Sequence, residues 1–358
     1  MWIEDLKISN FRNYENQEIK LNKKLNIFYG ENAQGKTNII ESIFLASIGK
    51  SFRSKKDSEL IKFGEDFARI EIDFHKSDRS GNIEIGISNK KNININKIKI
   101  KKLSDLLGNI NTVIFTPDDI NILKGGPQNR RRFLDIMISQ LKPNYMYNLN
   151  IYLKTLEQRN NYLRQIRDLG KDESLLDIWD EKIAEYAINI YKYRKFFIEK
   201  LQNKIKDIHN EITDNKENIE IEYLTECNNK EEFLKLLKQR RKLDIIKGFT
   251  TKGIHRDDFM IYINKKELDI YGSQGQHRTA ILSLKLSELN IIYDEIGEYP
   301  ILLLDDFMSE LDEKRRRNLL EKIKDAQVII TCTEKLDIEK NKFLIYNVKS
   351  GKIQKENS

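Results

Sequence analysis

A mixed α/β fold interrupted by an α-helical insertion is the architecture this sequence predicts, and three observations carry it. A short apolar run, a glycine-rich turn and a helical pattern follow one another over residues 25–46. Segments that alternate apolar and polar residues with period two lie on either side of a long central stretch. In that stretch, from about Asn144 to Arg241, glycine becomes scarce and charges interleave with apolar residues at helical spacing. Period-two alternation marks half-buried strands, whereas a three-to-four spacing marks one face of a helix.

Leu25-Asn26-Ile27-Phe28-Tyr29 reads as a buried strand. It runs into Gly30-Glu31-Asn32-Ala33-Gln34-Gly35-Lys36-Thr37, which fits G-x-x-x-x-G-K-[ST] at every fixed position. Asn38 then opens a segment to Ala46 that is apolar at helical spacing. A strand, a glycine-rich turn and a helix start form a nest of backbone N–H groups at a positive helix end, which cradles phosphate. Lys36 is expected to reach the β/γ-phosphates and the Thr37 hydroxyl to ligate Mg²⁺. A chance glycine turn before Lys-Thr would lack this flanking context, so the sequence expects a bound nucleoside triphosphate.

Arg69 to Phe74 and Asn82 to Ile87 alternate as half-buried antiparallel strands, and Asn92 to Ile100 does so with one register break. In the central stretch Leu153, Leu156, Asn160 and Leu163 are expected on one helix face, and Ile178 to Ile212 runs long without a breaker. These features suggest a head of residues 1–140 and 246–358 with a helical arm of residues 141–245 inserted. Alternation returns at Met260-Ile261-Tyr262-Ile263, and the lysine-rich tail after Ser350 is expected to fray.

Ser273-Gln274-Gly275-Gln276 precedes a long helical pattern carrying Ile281, Leu284, Leu286, Leu289 and Ile292. Ser273 and Gln276 have the spacing of a capping box. A hydroxyl and a glycine N–H at a helix start also make a second phosphate site. One chain needs only one γ-phosphate cradle, so a second suits a neighbouring subunit. Pro300-Ile301-Leu302-Leu303-Leu304 is a fully apolar run that ends in Asp305-Asp306. Such a run suits a central parallel strand, and an acid at its C-terminal end faces the crevice where α/β sheets bind ligands. Asp305 is then the carboxylate that holds Mg²⁺, and Asp306 the group that orients or deprotonates the attacking water.

Charged residues make up 33% of the 358 and hydrophobic ones 39%, which excludes a disordered chain and points to a soluble globular protein. No apolar run approaches a membrane span, and Met1 to Asp5 lacks a signal peptide's pattern. Cys227 and Cys332 stand alone, so neither a disulfide framework nor a cysteine-based zinc site is suggested and the cytoplasm is expected. A formal charge of +7 suits an anionic partner such as nucleic acid, although abundant lysine alone produces the same balance.

The phosphate motif, Ser273-Gln274-Gly275-Gln276 and Leu302-Leu303-Leu304-Asp305-Asp306 followed by Met308-Ser309-Glu310-Leu311-Asp312 occur in the order seen in the RecF family. Ser9-Asn10-Phe11-Arg12-Asn13-Tyr14, Phe115-Thr116-Pro117-Asp118-Asp119, Gly125 to Asp135 and Gly253-Ile254-His255-Arg256-Asp257-Asp258 also match. Along nearly its whole length the chain resembles this family of ABC-type, SMC-like ATPases of bacterial DNA repair. The resemblance implies a P-loop ABC-ATPase-like head, ATP with Mg²⁺, and an ATP-dependent homodimer on double-stranded DNA at gaps or single/double-strand junctions. RecR and RecO are the implied partners and loading of RecA the implied task. Ser273 and Gly275, with Gln276 beside them, would meet the γ-phosphate held by a second subunit. Ser309 to Asp312 would cross the dimer interface, Thr331 or Thr333 would be the switch residue, and Arg12 would lie near the nucleotide.

Two departures from the ABC pattern matter. Asp306 stands where ABC transporters carry glutamate, which implies slow hydrolysis, and Pro117-Asp118-Asp119 stands where they carry a Mg²⁺-sensing glutamine. Three competing readings are an ABC-transporter nucleotide subunit, a long-coiled-coil SMC ATPase and a nucleotide-switched protein scaffold. The helical insertion and basic balance oppose the first, and the insertion's short length and lack of a CxxC hook oppose the second. DNA contacts are expected among Lys50, Arg53, Lys55 and Lys56, with Lys97 to Lys102 or Arg130 to Arg132 as alternatives.

Overall fold

The computed structural model describes residues 1–310, 312, 319, 323, 325–335 and 343–356. Its chain divides into two compact units, residues 1–120 with 278–358, and residues 121–277. The first unit begins with β1 (Trp2–Phe11), β2 (Tyr14–Lys20), β3 (Leu25–Tyr29), α1 (Lys36–Ile48), β4 (Ala68–His75), β5 (Ser80–Ile87), β6 (Asn92–Ile95), β7 (Ile98–Lys99) and β8 (Thr112–Phe115). The chain continues through α2 (Ile120–Lys124) into the second unit. There it forms α3 (Pro127–Leu141), α4 (Pro143–Leu169), α5 (Leu176–Ile212), β9 (Ile219–Leu224), α6 (Lys230–Lys247), β10 (Asp258–Ile263), β11 (Lys266–Glu267) and α7 (Leu268–Tyr271). Then come α8 (Gln274–Ile296), within which the unit boundary falls, and β12 (Ile301–Asp305), β13 (Val328–Cys332), β14 (Phe343–Lys349) and β15 (Lys352–Lys355).

Two sheets build the first unit. One runs β2-β1-β4-β5-β6-β7 and is antiparallel throughout. The alternation of β4 is realised in its burial, with Ala68, Ile70, Ile72 and Phe74 inside. Asn92 to Ile100 is two strands rather than one with a register break. Asn96 and Lys97 take positive φ of 50° and 66° and close a hairpin between β6 and β7, as a two-residue turn must to match strand twist. The other sheet runs β15-β14-β3-β13-β12-β8, parallel from β14 to β8. All five residues of β12 and of β13 are buried, as central parallel strands require. α1 is buried on nearly every side because it packs against β8, β12 and β13 of this sheet and β4 and β5 of the other. Residues 351–356 of the tail, the described part, do not fray. β15 pairs antiparallel with β14, and Ile353 N–H donates to the Gln17 side chain at 3.0 Å.

In the second unit α4, α5 and α6 pack together, and a three-stranded antiparallel sheet β11-β10-β9 lies with them. The central stretch is therefore not wholly helical. β9 is hidden in the sequence because its glutamates, alternating with Ile219, Ile221 and Tyr223, look like charges on a helix. The inward face of α4 is Tyr152, Leu156, Arg159 and Leu163, while Leu153 is exposed. The expected stripe is thus turned by one residue at its start, because Arg159 is part of the core. Its guanidinium is 0% exposed and bonds Asp180 of α5 at 2.7 Å, Asp244 of α6 at 2.8 Å and Thr250 at 2.8 Å. A buried cation held by two carboxylates fixes helix register, since any slip would leave a charge unpaired. Among the described residues no helix is long and apolar enough to cross a membrane.

Candidate nucleotide-binding site

The phosphate loop follows β3 at the C-terminal edge of the parallel sheet. Gly30 has φ of 156°, Ala33 63° and Gly35 115°. A Cβ on Gly30 would come within 2.3 Å of the Val348 carbonyl oxygen, and one on Gly35 within 2.6 Å of the Asn13 side chain. Both glycines are demanded by close approach as well as by dihedral. Lys36 is buried and folds back into the loop, donating to the carbonyls of Gly30 at 2.6 Å and Glu31 at 2.9 Å. Glu31, Asn32 and Ala33 are exposed, while Gln34, Thr37 and Asn38 are half-buried.

Asp305 ends β12 and lies in register with Thr331 on β13, which in turn pairs with Phe28 of β3. Thr37 Oγ1 donates to Asp305 Oδ1 at 2.9 Å and Thr331 Oγ1 donates to the same oxygen at 2.7 Å. Burial holds the Asp305 carboxyl above the ordinary carboxylate range, against the pull of these two hydroxyls. A hydroxyl and a carboxylate oxygen 2.9 Å apart are hard oxygen ligands of the kind Mg²⁺ takes, so Thr37 and Asp305 fit the expected metal. Asp306 takes a left-handed φ of 50°, and its N–H donates to Thr331 O at 3.1 Å and Oγ1 at 3.1 Å. Of the two threonines weighed for the switch, Thr331 is buried against Asp305, whereas Thr333 is exposed beyond the strand.

The segment Ser9 to Tyr14 supports the loop from behind. Asn13 donates to Gln34 O at 2.8 Å and accepts from Asn38 at 2.8 Å, and Tyr14 OH donates to Gly35 O at 3.0 Å. The Arg12 guanidinium is committed within the protein: Nε and Nη2 donate to Glu41 at 2.9 and 2.7 Å, Nη1 to Glu59 O at 2.7 Å, and Nη2 to Ser54 at 2.5 Å. Glu41 is wholly buried on α1 and also accepts from Ser51 at 2.5 Å. Sequence reasoning misses Glu41, a lone acid in an apolar helix start. It also misses the β14–β15 turn, whose Ser350 N–H donates to Gln34 Oε1 at 2.6 Å and Gly351 N–H to Gln34 O at 3.2 Å.

Within the second unit Ser273 and Gln276 form the expected box: Gln276 N–H donates to Ser273 Oγ at 3.2 Å, and Ser273 N–H donates to Gln276 Oε1 at 2.9 Å. Gln276 Nε2 donates to Glu217 at 3.0 Å, so its amide is held at both ends. Ser273 and Gly275 are exposed. Of the segment Ser309 to Asp312, Leu311 lies outside the described residues, and only the backbone of Ser309 and Glu310 is described. Asp119 is half-buried and accepts from Thr116 N–H at 2.8 Å, and desolvation raises its pKa against the pull of Lys285. Lys50, Arg53, Lys55 and Lys56 are all exposed after α1, and Arg53 reaches Asn38 at 3.1 Å. Lys97 to Lys102 is also largely exposed, whereas Arg130 is buried on Asp258 at 2.6 and 2.7 Å and offers no charge to a partner.

Comparison with known proteins agrees with this geometry. The family model described as RecF/RecN/SMC N terminal domain matches residues 2–354. A DNA replication and repair protein RecF from Clostridium perfringens is 46% identical over 365 residues, covering 99% of this chain and all of its own. One from Clostridium tetani is 46% identical over 366 residues, covering 98% and 99%. A solved structure of the recombination mediator protein RecF with ATP, in the RecFOR pathway, superposes with a TM-score of 0.94 at 41% identity, covering 99% of this chain and 98% of that one. The Smc head domain from Pyrococcus furiosus, at 17% identity and a TM-score of 0.57, shares the fold. A family model spanning almost every residue and relatives alike from end to end lead to one conclusion: the chain belongs to the RecF family of DNA replication and repair proteins, ATP-binding members of the SMC-like ATPases.

Proposed function

We propose that the chain is an ATP-dependent DNA clamp whose discontinuous head binds ATP and also completes a partner's site. Two chains close over two ATP molecules in an isologous arrangement. Closure joins two basic faces on duplex DNA at a gap or junction, and slow hydrolysis releases it. By analogy with the RecFOR pathway, RecR and RecO act with it in the cytoplasm to load RecA.

The observation that carries the reading is the convergence of Thr37 and Thr331 on one oxygen of Asp305, the first of them 268 residues away in sequence. Mg²⁺ bound there would neutralise developing charge on the phosphates. Lys36 holds a donor toward the β/γ-phosphates, and backbone N–H groups from Gly30 to Asn38 cradle them. Asp306 orients the attacking water, and its reach, one methylene shorter than glutamate, keeps turnover slow. Ser273 and Gly275, beside Gln276, meet the γ-phosphate of the partner subunit's nucleotide.

Filter-binding titration of duplex DNA with ATP, with ADP and without nucleotide tests this reading. Retention should require ATP and should vanish in Lys36→Ala, which removes the charge on the phosphates. Equal retention under all three conditions would leave a constitutive DNA binder or a scaffold.

A further inference from the structure

The second unit carries two adjoining cavities that the nucleotide reading does not use, of about 670 and 620 Å³, each the size that holds a small organic molecule. Tyr223 of the edge strand β9 and Thr225 just after it line both, so together they form one trough. Aromatic rings recur along it. Tyr191 stacks on Tyr223 with centroids 6.2 Å apart and planes at 15°. Beyond Thr225 stands Phe249, 38% exposed, with the Arg256 guanidinium 5.6 Å and the Lys247 ammonium 6.0 Å from its ring centre. Lys195 and Lys252 add cations to the walls; Glu199 and Glu226 oppose them, and Lys252 is paired with Glu226 at 2.5 Å. The acid at the floor, Asp257, is already satisfied by Tyr223, Thr225 and Arg194, so the balance toward a ligand is positive.

Half-open rings spaced between cations match the chemistry of a single nucleic-acid strand, whose bases stack on aromatic faces while its phosphates meet lysine and arginine. A duplex, whose bases already stack on each other, would leave the rings unused. We propose that this trough binds single-stranded DNA, with Phe249 as a base platform and Arg256 and Lys247 as phosphate contacts. The inference rests on the DNA-clamp reading and adds a strand-specific surface to it. A protein with separate duplex and single-strand surfaces would recognise a junction by holding both sides of it.

Fluorescence anisotropy on the full chain with ATP, using labelled oligothymidylate, its abasic counterpart and a blunt duplex, tests the proposal. Phe249→Ala should weaken oligothymidylate roughly tenfold and leave the abasic chain and the duplex unchanged; Phe249→Trp should restore binding. Arg256→Ala should weaken both single strands and flatten their salt dependence by about 0.7 in log–log slope. Unchanged oligothymidylate affinity in Phe249→Ala, with duplex binding intact, overturns the proposal while sparing the clamp. If Phe249→Ala instead stopped a labelled acidic, aromatic peptide from binding and left oligothymidylate unaffected, the trough would be a protein-docking site, which also overturns it. A wild-type protein that binds no duplex with ATP would sink the clamp reading itself.

Discussion

Removing Arg12 should show first as a loss of stability in the first unit. Glu41 is 0% exposed, and Arg12 is its bidentate partner at 2.7 and 2.9 Å with 20% of its own side chain exposed. Taking away one member of a buried pair leaves an uncompensated charge, which costs about 3–5 kcal/mol. Ser51 still donates to Glu41 at 2.5 Å and Arg53 stands 4.0 Å off, so the low end, about 3 kcal/mol, applies to Arg12→Ala. For a unit of about 200 residues that is a fall of about 6–12 °C in the midpoint of thermal unfolding. Differential scanning calorimetry at neutral pH measures it. Adding Glu41→Gln to the variant should recover at least half of the loss, because the orphaned charge is then gone. A midpoint within a degree of wild type in Arg12→Ala would show the pair to be well solvated, and the reasoning would fail.

Other outcomes follow from the same geometry. Asp306→Asn should keep ATP binding and the ATP-dependent dimer while phosphate release falls; hydrolysis at the wild-type rate would strip that carboxylate of its role. Ser273→Arg should lose the cap, at about 1 kcal/mol, and block ATP-dependent dimerisation, so normal dimers by light scattering would reduce Ser273 to a helix cap. Replacing Lys50, Arg53, Lys55 and Lys56 together by alanine should lower the salt slope of duplex binding by about one for each phosphate left without its cation, and an unchanged slope would move the duplex face elsewhere. His255 accepts from Tyr152 OH at Nδ1 at 2.7 Å and donates from Nε2 to Thr250 O at 3.1 Å, and burial lowers its pKa from 6.5 to about 4. The unfolded histidine therefore takes up its proton first. The contribution is full above pH 6.5 and is lost as pH falls toward 4, by up to about 1.4 kcal/mol per pH unit. His255→Gln should flatten that loss in urea unfolding, and equal slopes for both proteins would refute it.

The parts of the site that lie in one stretch of chain are readable before folding. Gly30 to Thr37 and the run into Asp305 carry their chemistry in spacing and in the apolar strands beside them. What escapes depends on partners far apart in sequence. Nothing near Glu41 announces that a left-handed Arg12, φ 57°, will close on it. β9 escapes because an alternating edge strand and a charged helix share a composition, and only pairing with β10 decides between them. β15 reads as a frayed tail because its lysines are exposed, yet backbone pairing with β14 needs no apolar side chain.

Strand β3, which delivers the phosphate loop, has its two neighbours, β13 and β14, about 300 residues later in the chain. At a synthesis rate of roughly 5–20 residues per second, the loop would wait about 15–60 s on the ribosome before those strands emerge. The Gln34 contacts from Ser350 and Gly351 arrive later still. Until then the nascent phosphate loop lacks the walls that hold it, so firm nucleotide capture should wait for β13, β14 and the turn that follows. Placing β13 and β14 on either side of β3 ties ATP capture to the synthesis of chain far beyond the motif itself.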